Sequence, residues 1–211
     1  YPVQNYDPTP AYSSFLSLNQ NPTKLQGVLT KFSTANSIDF SMYYGAAGTT
    51  GSNENDVIRS IVVDKNDDVW VTGETNSTNL LLKEFSTTAT SDYYNTNLDK
   101  GYAINGSTNN AYDMFILKLS NSGLIQYSTY FGAFYDDIGY GINTDAFGNI
   151  FIVGKSVGAV NTGLTNGDID FPLSGNPTGT YNQTINVSSN IDPDGAFLML
   201  KSDASLIWSS Y

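Results

Sequence analysis

Cysteine and histidine are both absent from this 211-residue chain, and arginine occurs once, as Arg59. Without cysteine there is no disulfide framework, no thiol nucleophile and no thiolate-held zinc or iron–sulfur centre. Without histidine there is no Ser-His-Asp or Cys-His catalysis, no imidazole metal ligand and no side chain whose ordinary titration falls near neutrality. One guanidinium cannot build the arginine clusters that hold phosphate, sulfate or sugar carboxylates. Glutamate is confined to Glu54, Glu74 and Glu84, and charged residues make up only 14% of the chain. Nine cationic against twenty anionic side chains leave a net charge of −11. That is the wrong sign for a nucleic-acid partner, whose affinity comes from neutralised phosphates. No apolar run is long enough to cross a membrane as a helix.

What is present suits a folded domain. Hydrophobic residues make up 40% of the chain, and 15 Tyr and 11 Phe make it strongly aromatic. Asn, Ser and Thr carry most of the polarity, and 19 Gly fit a turn-rich chain. The sequence also repeats, which sets its organisation. Residues 28–45 (VLTKFSTANSIDFSMYYG) match 115–132 (FILKLSNSGLIQYSTYFG), with Lys31 on Lys118, Ser41 on Ser128 and Gly45 on Gly132, 87 residues apart. Residues 199–211 (MLKSDASLIWSSY) match again when Lys201 is placed on Lys118 and two small deletions are allowed. A second element pairs 55–73 (NDVIRSIVVDKNDDVWVTG) with 136–154 (DDIGYGINTDAFGNIFIVG). It aligns Asp56 with Asp137, Asp64 with Asp145 and Gly73 with Gly154, 81 residues apart. Tyr1-Pro2-Val3 resembles Phe171-Pro172-Leu173.

Each unit reads as strands. Val69-Trp70-Val71-Thr72 and Ile150-Phe151-Ile152-Val153 are short, β-branched or aromatic, and run into Gly. Both are apolar at successive positions, which predicts sheets covered on both faces. Residues 64–68 and 145–149, and Asn121-Ser122-Gly123, read as hairpin turns. The expected strands of one unit lie near 57–63, 69–74, 114–119 and 124–131, with long connections at 76–112 and 156–194. No stretch has the 3.6-residue period of a capped helix. The reading is all-β: a β-propeller of four-stranded antiparallel blades, present as a partial propeller of about 2.5 repeats of about 85 residues. A partial blade is expected at 1–45, a complete blade at 46–132, and a nearly complete, truncated one at 133–211. A β-solenoid is the alternative, and the tight antiparallel hairpins count against it. Because the units are cut mid-repeat, the chain is expected to be a segment of a larger polypeptide.

The residues Tyr127-Ser128-Thr129-Tyr130-Phe131-Gly132, Asp136-Asp137-Ile138-Gly139-Tyr140-Gly141-Ile142, Gly148-Asn149-Ile150-Phe151-Ile152-Val153-Gly154, Phe171-Pro172 and Asp113-Met114-Phe115-Ile116-Leu117-Lys118-Leu119 resemble the bacterial SBBP-type β-propeller repeat. The resemblance departs from the family pattern in three ways: the period is long, Gln26 stands where an Asp is expected, and Asp194 stands two residues further from Lys201 than Asp113 does from Lys118. It implies secreted or surface proteins of bacteria, often multidomain, and no single activity.

Several residues invite a chemical reading. Asp64, Asn66 and Asp68 alternate as the opening of a calcium loop does, though the later Gly and bidentate Glu are missing. Asp168 and Asp170 alternate likewise, and calcium is the ion such oxygen ligands would take. A solvated turn explains both patterns equally. Asp136-Asp137 and Asn55-Asp56 offer carboxylates for acid–base chemistry. Their recurrence in successive units instead points to loops fixed by hydrogen bonds to backbone N–H groups. Glu74, whose counterpart is Lys155, is expected on the surface. Tyr43 and Tyr130 share a repeat position and are expected in the core between blades. Tyr93, Tyr94 and Tyr102 lie in a long loop and are the candidates for stacking on a sugar.

The expected function is non-enzymatic: an extracellular or cell-surface scaffold for display, adhesion or protein contact, needing no cofactor. Its partners would be other parts of a larger polypeptide or other protein subunits, with no nucleic acid and no membrane insertion. A carbohydrate-binding module using the loop tyrosines, with or without calcium, is the second reading. A glycoside hydrolase completed by further blades is the third.

Overall fold

The computed structural model of the chain describes residues 25–46, 54–85, 92–96, 98, 111–133, 135–157, 172 and 193–211. Among them the regular structure is entirely β. Strands β1 (Gly27–Phe32) and β2 (Ile38–Tyr44) form a two-stranded antiparallel sheet. Strands β3 (Asp56–Val63), β4 (Val69–Thr75), β5 (Asp113–Leu119) and β6 (Ile125–Phe131) form a four-stranded antiparallel meander in chain order. Strands β7 (Asp137–Thr144), β8 (Ile150–Ser156), β9 (Asp194–Leu200) and β10 (Leu206–Ser210) form a second. This is a partial β-propeller, with sheets stacked face to face and no ring closure among the described residues. The expected strand positions hold to within one residue at each end.

Residues able to take a left-handed backbone shape the tight turns. Asn36, Asp67, Gly123, Gly148 and Ala204 have φ between 60° and 89°, as three-residue hairpin loops require. The β5–β6 turn is closed by Ser120 N–H to Leu124 O at 2.8 Å and Gly123 N–H to Ser120 O at 2.9 Å. The β9–β10 turn repeats it with Lys201 N–H to Ser205 O at 2.9 Å and Ala204 N–H to Lys201 O at 3.0 Å. Lys201 therefore occupies the place of Ser120, and Met199 that of Lys118. This corrects the sequence alignment: Asp194 faces Ser156 as Asp113 faces Thr75, so the third unit follows the second at a constant 81 residues with no deletion.

Two clusters fill the spaces between sheets. Leu29, Phe40, Met42 and Tyr44 of the first sheet pack on Val71, Phe115, Leu117 and Tyr130 of the second. From the opposite face of the second sheet, Trp70, Met114, Ile116, Tyr127 and Phe131 pack on Ile142, Ile150, Ile152 and Leu198 of the third. Every residue of β4 and β5 is buried, as expected for a sheet covered on both sides. Each large side chain so buried contributes about 2 kcal/mol.

The third sheet departs from that expectation. Along β8 the burial alternates, and Phe151 and Val153 are exposed together with Phe197 of β9. By register they match Trp70, Thr72 and Ile116 of the second sheet. They form the same face, with no sheet over it among the described residues. Tyr43 and Tyr130 differ too: Tyr130 is fully buried under the first sheet, whereas Tyr43, on the face of β2 with no sheet over it among the described residues, is only partly buried.

Candidate functional site

The recurring acidic pair is a clamp between sheets. Asp56 lies 2% exposed at the start of β3. Its carboxylate accepts the Ala46 N–H at 3.0 Å, the Thr75 hydroxyl at 2.5 Å and the Ser77 hydroxyl at 3.1 Å. Beside it, Asn55 Oδ1 accepts the Leu25 N–H at 3.1 Å, and Leu25 O accepts the Asp56 N–H at 2.9 Å. The next unit repeats the device. Asp137 Oδ2 accepts the Ala133 N–H at 2.6 Å, Asp136 Oδ1 accepts the Tyr112 N–H at 3.0 Å, and Tyr112 O accepts the Asp137 N–H at 2.6 Å. Each pair thus holds the backbone on both sides of the preceding sheet's outer hairpin. Burial raises the Asp56 carboxyl above its ordinary value, and the Thr75, Ser77 and Ala46 donors pull the other way.

The residues read as a calcium loop are engaged in a turn. Asp64 Oδ1 accepts the N–H groups of Asn66 at 2.8 Å and Asp68 at 3.1 Å, and Oδ2 accepts Trp70 Nε1–H at 2.9 Å. Asp145 does the same for Phe147 and Asn149 at 2.9 and 2.8 Å. Asp68 binds the Lys118 ammonium at 3.0 Å. No cluster of three Asp or Glu side chains placed to share a metal ion occurs among the described residues. Asp168 and Asp170 lie outside those residues.

Lys118 was used to align the repeats, but its role was not read from the sequence. Only 3% exposed within β5, it lies 5.1 Å from the Trp70 ring centroid and 5.2 Å from that of Phe85. It also donates to Ser202 O in the next sheet's outer turn at 3.2 Å. Lys31 repeats this reach one sheet earlier, donating to Asn121 O at 3.0 Å. The available signal was a lysine inside the apolar run FILKL. A charge there needs a partner and an exit.

Of the loop tyrosines, Tyr93 and Tyr94 are half-buried. The Tyr93 ring lies tilted against that of Phe131, centroids 4.7 Å apart, and both Tyr93 and Tyr94 pack against the core between the second and third sheets. Tyr93 N–H bonds Ala204 O at 3.0 Å, and Asn95 bridges to Thr129 and Tyr130 of β6. This part of the long connection is therefore bound along the sheets' outer edge. Tyr102 lies outside the described residues. Glu74 is not on the surface: it is 7% exposed and pairs with Arg59 at 2.7 Å.

The accessible feature these sheets present is apolar. Phe151 and Val153 of β8 and Phe197 of β9 lie on one exposed face, in register with residues that bury the next sheet elsewhere in the molecule.

Residues 39–80 and 126–159 each match the family model described as a beta-propeller repeat, SBBP. The matches begin in β2 and β6, run through the clamp and continue past the Gly-containing strands β4 and β8. They therefore span the junction between two sheets rather than one sheet alone. No curated protein matches the chain.

Proposed function

Because the chain carries SBBP-type β-propeller repeats, we propose that it is a non-enzymatic scaffold which docks further protein on an open sheet face and displays its long connections. The observation that carries this reading is the exposed face of Phe151, Val153 and Phe197, whose counterparts Trp70, Thr72 and Ile116 are fully buried against the third sheet. A face of this composition is a protein-contact surface. The use of Asp56, Asp64 and Asp137 as hydrogen-bond acceptors for the backbone supports a structural role for these carboxylates, and the role needs no cofactor. The acidic, arginine-poor composition suits an extracellular or cell-surface setting and contact with protein, including adhesion partners, rather than nucleic acid.

Sedimentation velocity over a range of concentrations tests the docking role. The chain is expected to self-associate through this face, and Phe151→Lys/Phe197→Lys to remain monomeric with an unchanged urea midpoint. A wild-type chain that stays monomeric at high concentration, or a variant that associates equally well, would overturn it.

A further inference from the structure

Strands β3 and β7 each carry one extra residue in their ladders. Ile58 faces Gly73 and Ser60 faces Thr72, so Arg59 has no residue opposite it. Gly139 faces Gly154 and Gly141 faces Val153, so Tyr140 has none either. The two positions are equivalent, 81 residues apart. A bulge of this kind turns the extra side chain away from the regular alternation of the strand. The two strands lie side by side: next to the bulges, the Ile142 N–H is donated to Ser60 Oγ at 3.2 Å.

Unlike side chains therefore meet where the backbone repeats. Arg59 Nη2 donates to Glu74 Oε1 at 2.7 Å. That bond raises the guanidinium above its ordinary value, and the nearby Tyr140 phenol adds to the rise. The pairing uses one carboxylate oxygen only. Glu74 Oε2 is buried without a donor, and among the described residues Arg59 and Tyr140 make no other hydrogen bond. Unspent hydrogen-bonding capacity thus gathers beside an aromatic residue that is 50% exposed. The Arg59 side chain is 42% exposed with the third sheet already beside it, so this position stays open where a sheet follows. The aspartates of the clamp recur from unit to unit, but this pair does not: the third sheet has Tyr140 and Lys155 where the second has Arg59 and Glu74.

We propose that Arg59 and Tyr140 form a subsite for a neutral sugar, with Glu74 as the residue that positions the guanidinium. The apolar face of the sugar ring stacks on Tyr140, and its hydroxyl oxygens accept from the free N–H groups of Arg59. Charge selects a neutral ligand. Glu74 cancels the guanidinium locally and the net charge of −11 repels anions, while the guanidinium itself repels cations. The contact suits a sugar ring rather than an extended peptide, because beside Tyr140 the Ile142 N–H that a peptide strand would pair with is already given to Ser60. This function goes beyond the scaffold reading and is independent of the open sheet face.

The test uses the full 211-residue chain with glucose, galactose, mannose and N-acetylglucosamine as probes and glucuronate as the charged comparison. Saturation-transfer NMR reads contact with the sugar ring, and titration of amide shifts reads affinity. At least one neutral probe is expected to bind saturably. Tyr140→Ala should weaken that binding about tenfold, and Tyr140→Phe should leave it nearly unchanged, since the ring remains. Arg59→Lys, which loses the planar fork, should weaken it about fivefold with an unchanged urea midpoint. Glu74→Ala should weaken it as much. Glu74→Gln, whose oxygen still accepts from Arg59, should restore it and improve binding of glucuronate, because the guanidinium is then uncancelled. No saturable binding of any neutral probe, binding indifferent to Tyr140→Ala, or tighter binding of glucuronate by the wild-type chain would overturn the sugar subsite. Self-association through Phe151 and Phe197 is measured separately, so the scaffold reading stands or falls without it.

Discussion

At the scale of single residues, stability rests on polar groups that cross from one sheet to the next. Asp56→Ala removes the acceptor for Ala46, Thr75 and Ser77 and is expected to cost about 3 kcal/mol, read from the urea midpoint. Asp56→Asn should cost less, since its amide can donate to Thr75 while its oxygen serves the other two donors. The pair also separates a pH effect. Burial raises the folded carboxyl of Asp56 above the ordinary 3.8, so the native state holds this proton more tightly than the unfolded chain does. In the window above pH 3.8 this group's contribution to stability falls as pH rises through the folded value. The advantage of wild type over Asp56→Asn should therefore grow as pH is lowered towards 4, and an advantage that instead shrinks would refute the assignment. Lys118→Met, which copies Met199, leaves Asp68 without its ammonium. It should cost about 2 kcal/mol, less than for a fully buried pair because Asp68 is partly exposed, and adding Asp68→Asn should recover most of the loss. The clamp role of the recurring aspartates was legible because a position repeated in every unit suits structure better than a single active site. The partner of Lys118 was not, since nothing local brings residue 68 beside residue 118.

At the scale of strands and turns, local pattern carried most of the information. The run Val69–Thr72 announces β4, and Asn121-Ser122-Gly123 announces the turn after β5. The third outer turn was misplaced because its left-handed position holds Ala204, φ 65°, where a reader looks for Gly or Asn. Lys201 then attracted the alignment that belonged to Met199. The opposite case is the glycine of β4 and β8. A Cβ on Gly73 would stand 1.9 Å from Val57 O, and one on Gly154 2.0 Å from Ile138 O. The irregularities in β3 near Ile58 and in β7 near Gly139 lie beside these carbonyls, so the glycine is required by the neighbouring strand's backbone. Gly73→Ala should lower stability by about 3 kcal/mol or prevent folding, as overpacking against rigid backbone does. Gly195→Ala, whose Cβ meets only Phe197 at 3.7 Å, should lie within about 0.5 kcal/mol of wild type. Equal effects at the two sites would mean that the β3 bulge moves freely.

At the scale of the whole molecule, neighbouring sheets use opposite faces in sequence, and the pattern continues to the outer surface of the third sheet. Sequence periodicity predicted that β8 would be covered on both sides, because Phe151 and Val153 look like Trp70 and Thr72. It could not say whether a neighbour is present, since covering is a property of the assembly and not of the strand. The contacts of the loop tyrosines were illegible for the related reason that Tyr93 finds Phe131 and the third sheet's outer turn only once the sheets are stacked. If the open face associates, two opposing forces set its strength. Apolar contact favours it, while a net charge of −11 on each copy opposes it over distances of about 10 Å at 0.1 M salt. Raising sodium chloride from 20 to 300 mM should therefore strengthen self-association, as measured by sedimentation, and sulfate should strengthen it further by favouring burial of apolar surface. Association that weakens over the same range would show that ion pairs hold the copies together. Phe151 and Phe197 would then be bystanders, and the docking face would have to be sought among the charged side chains.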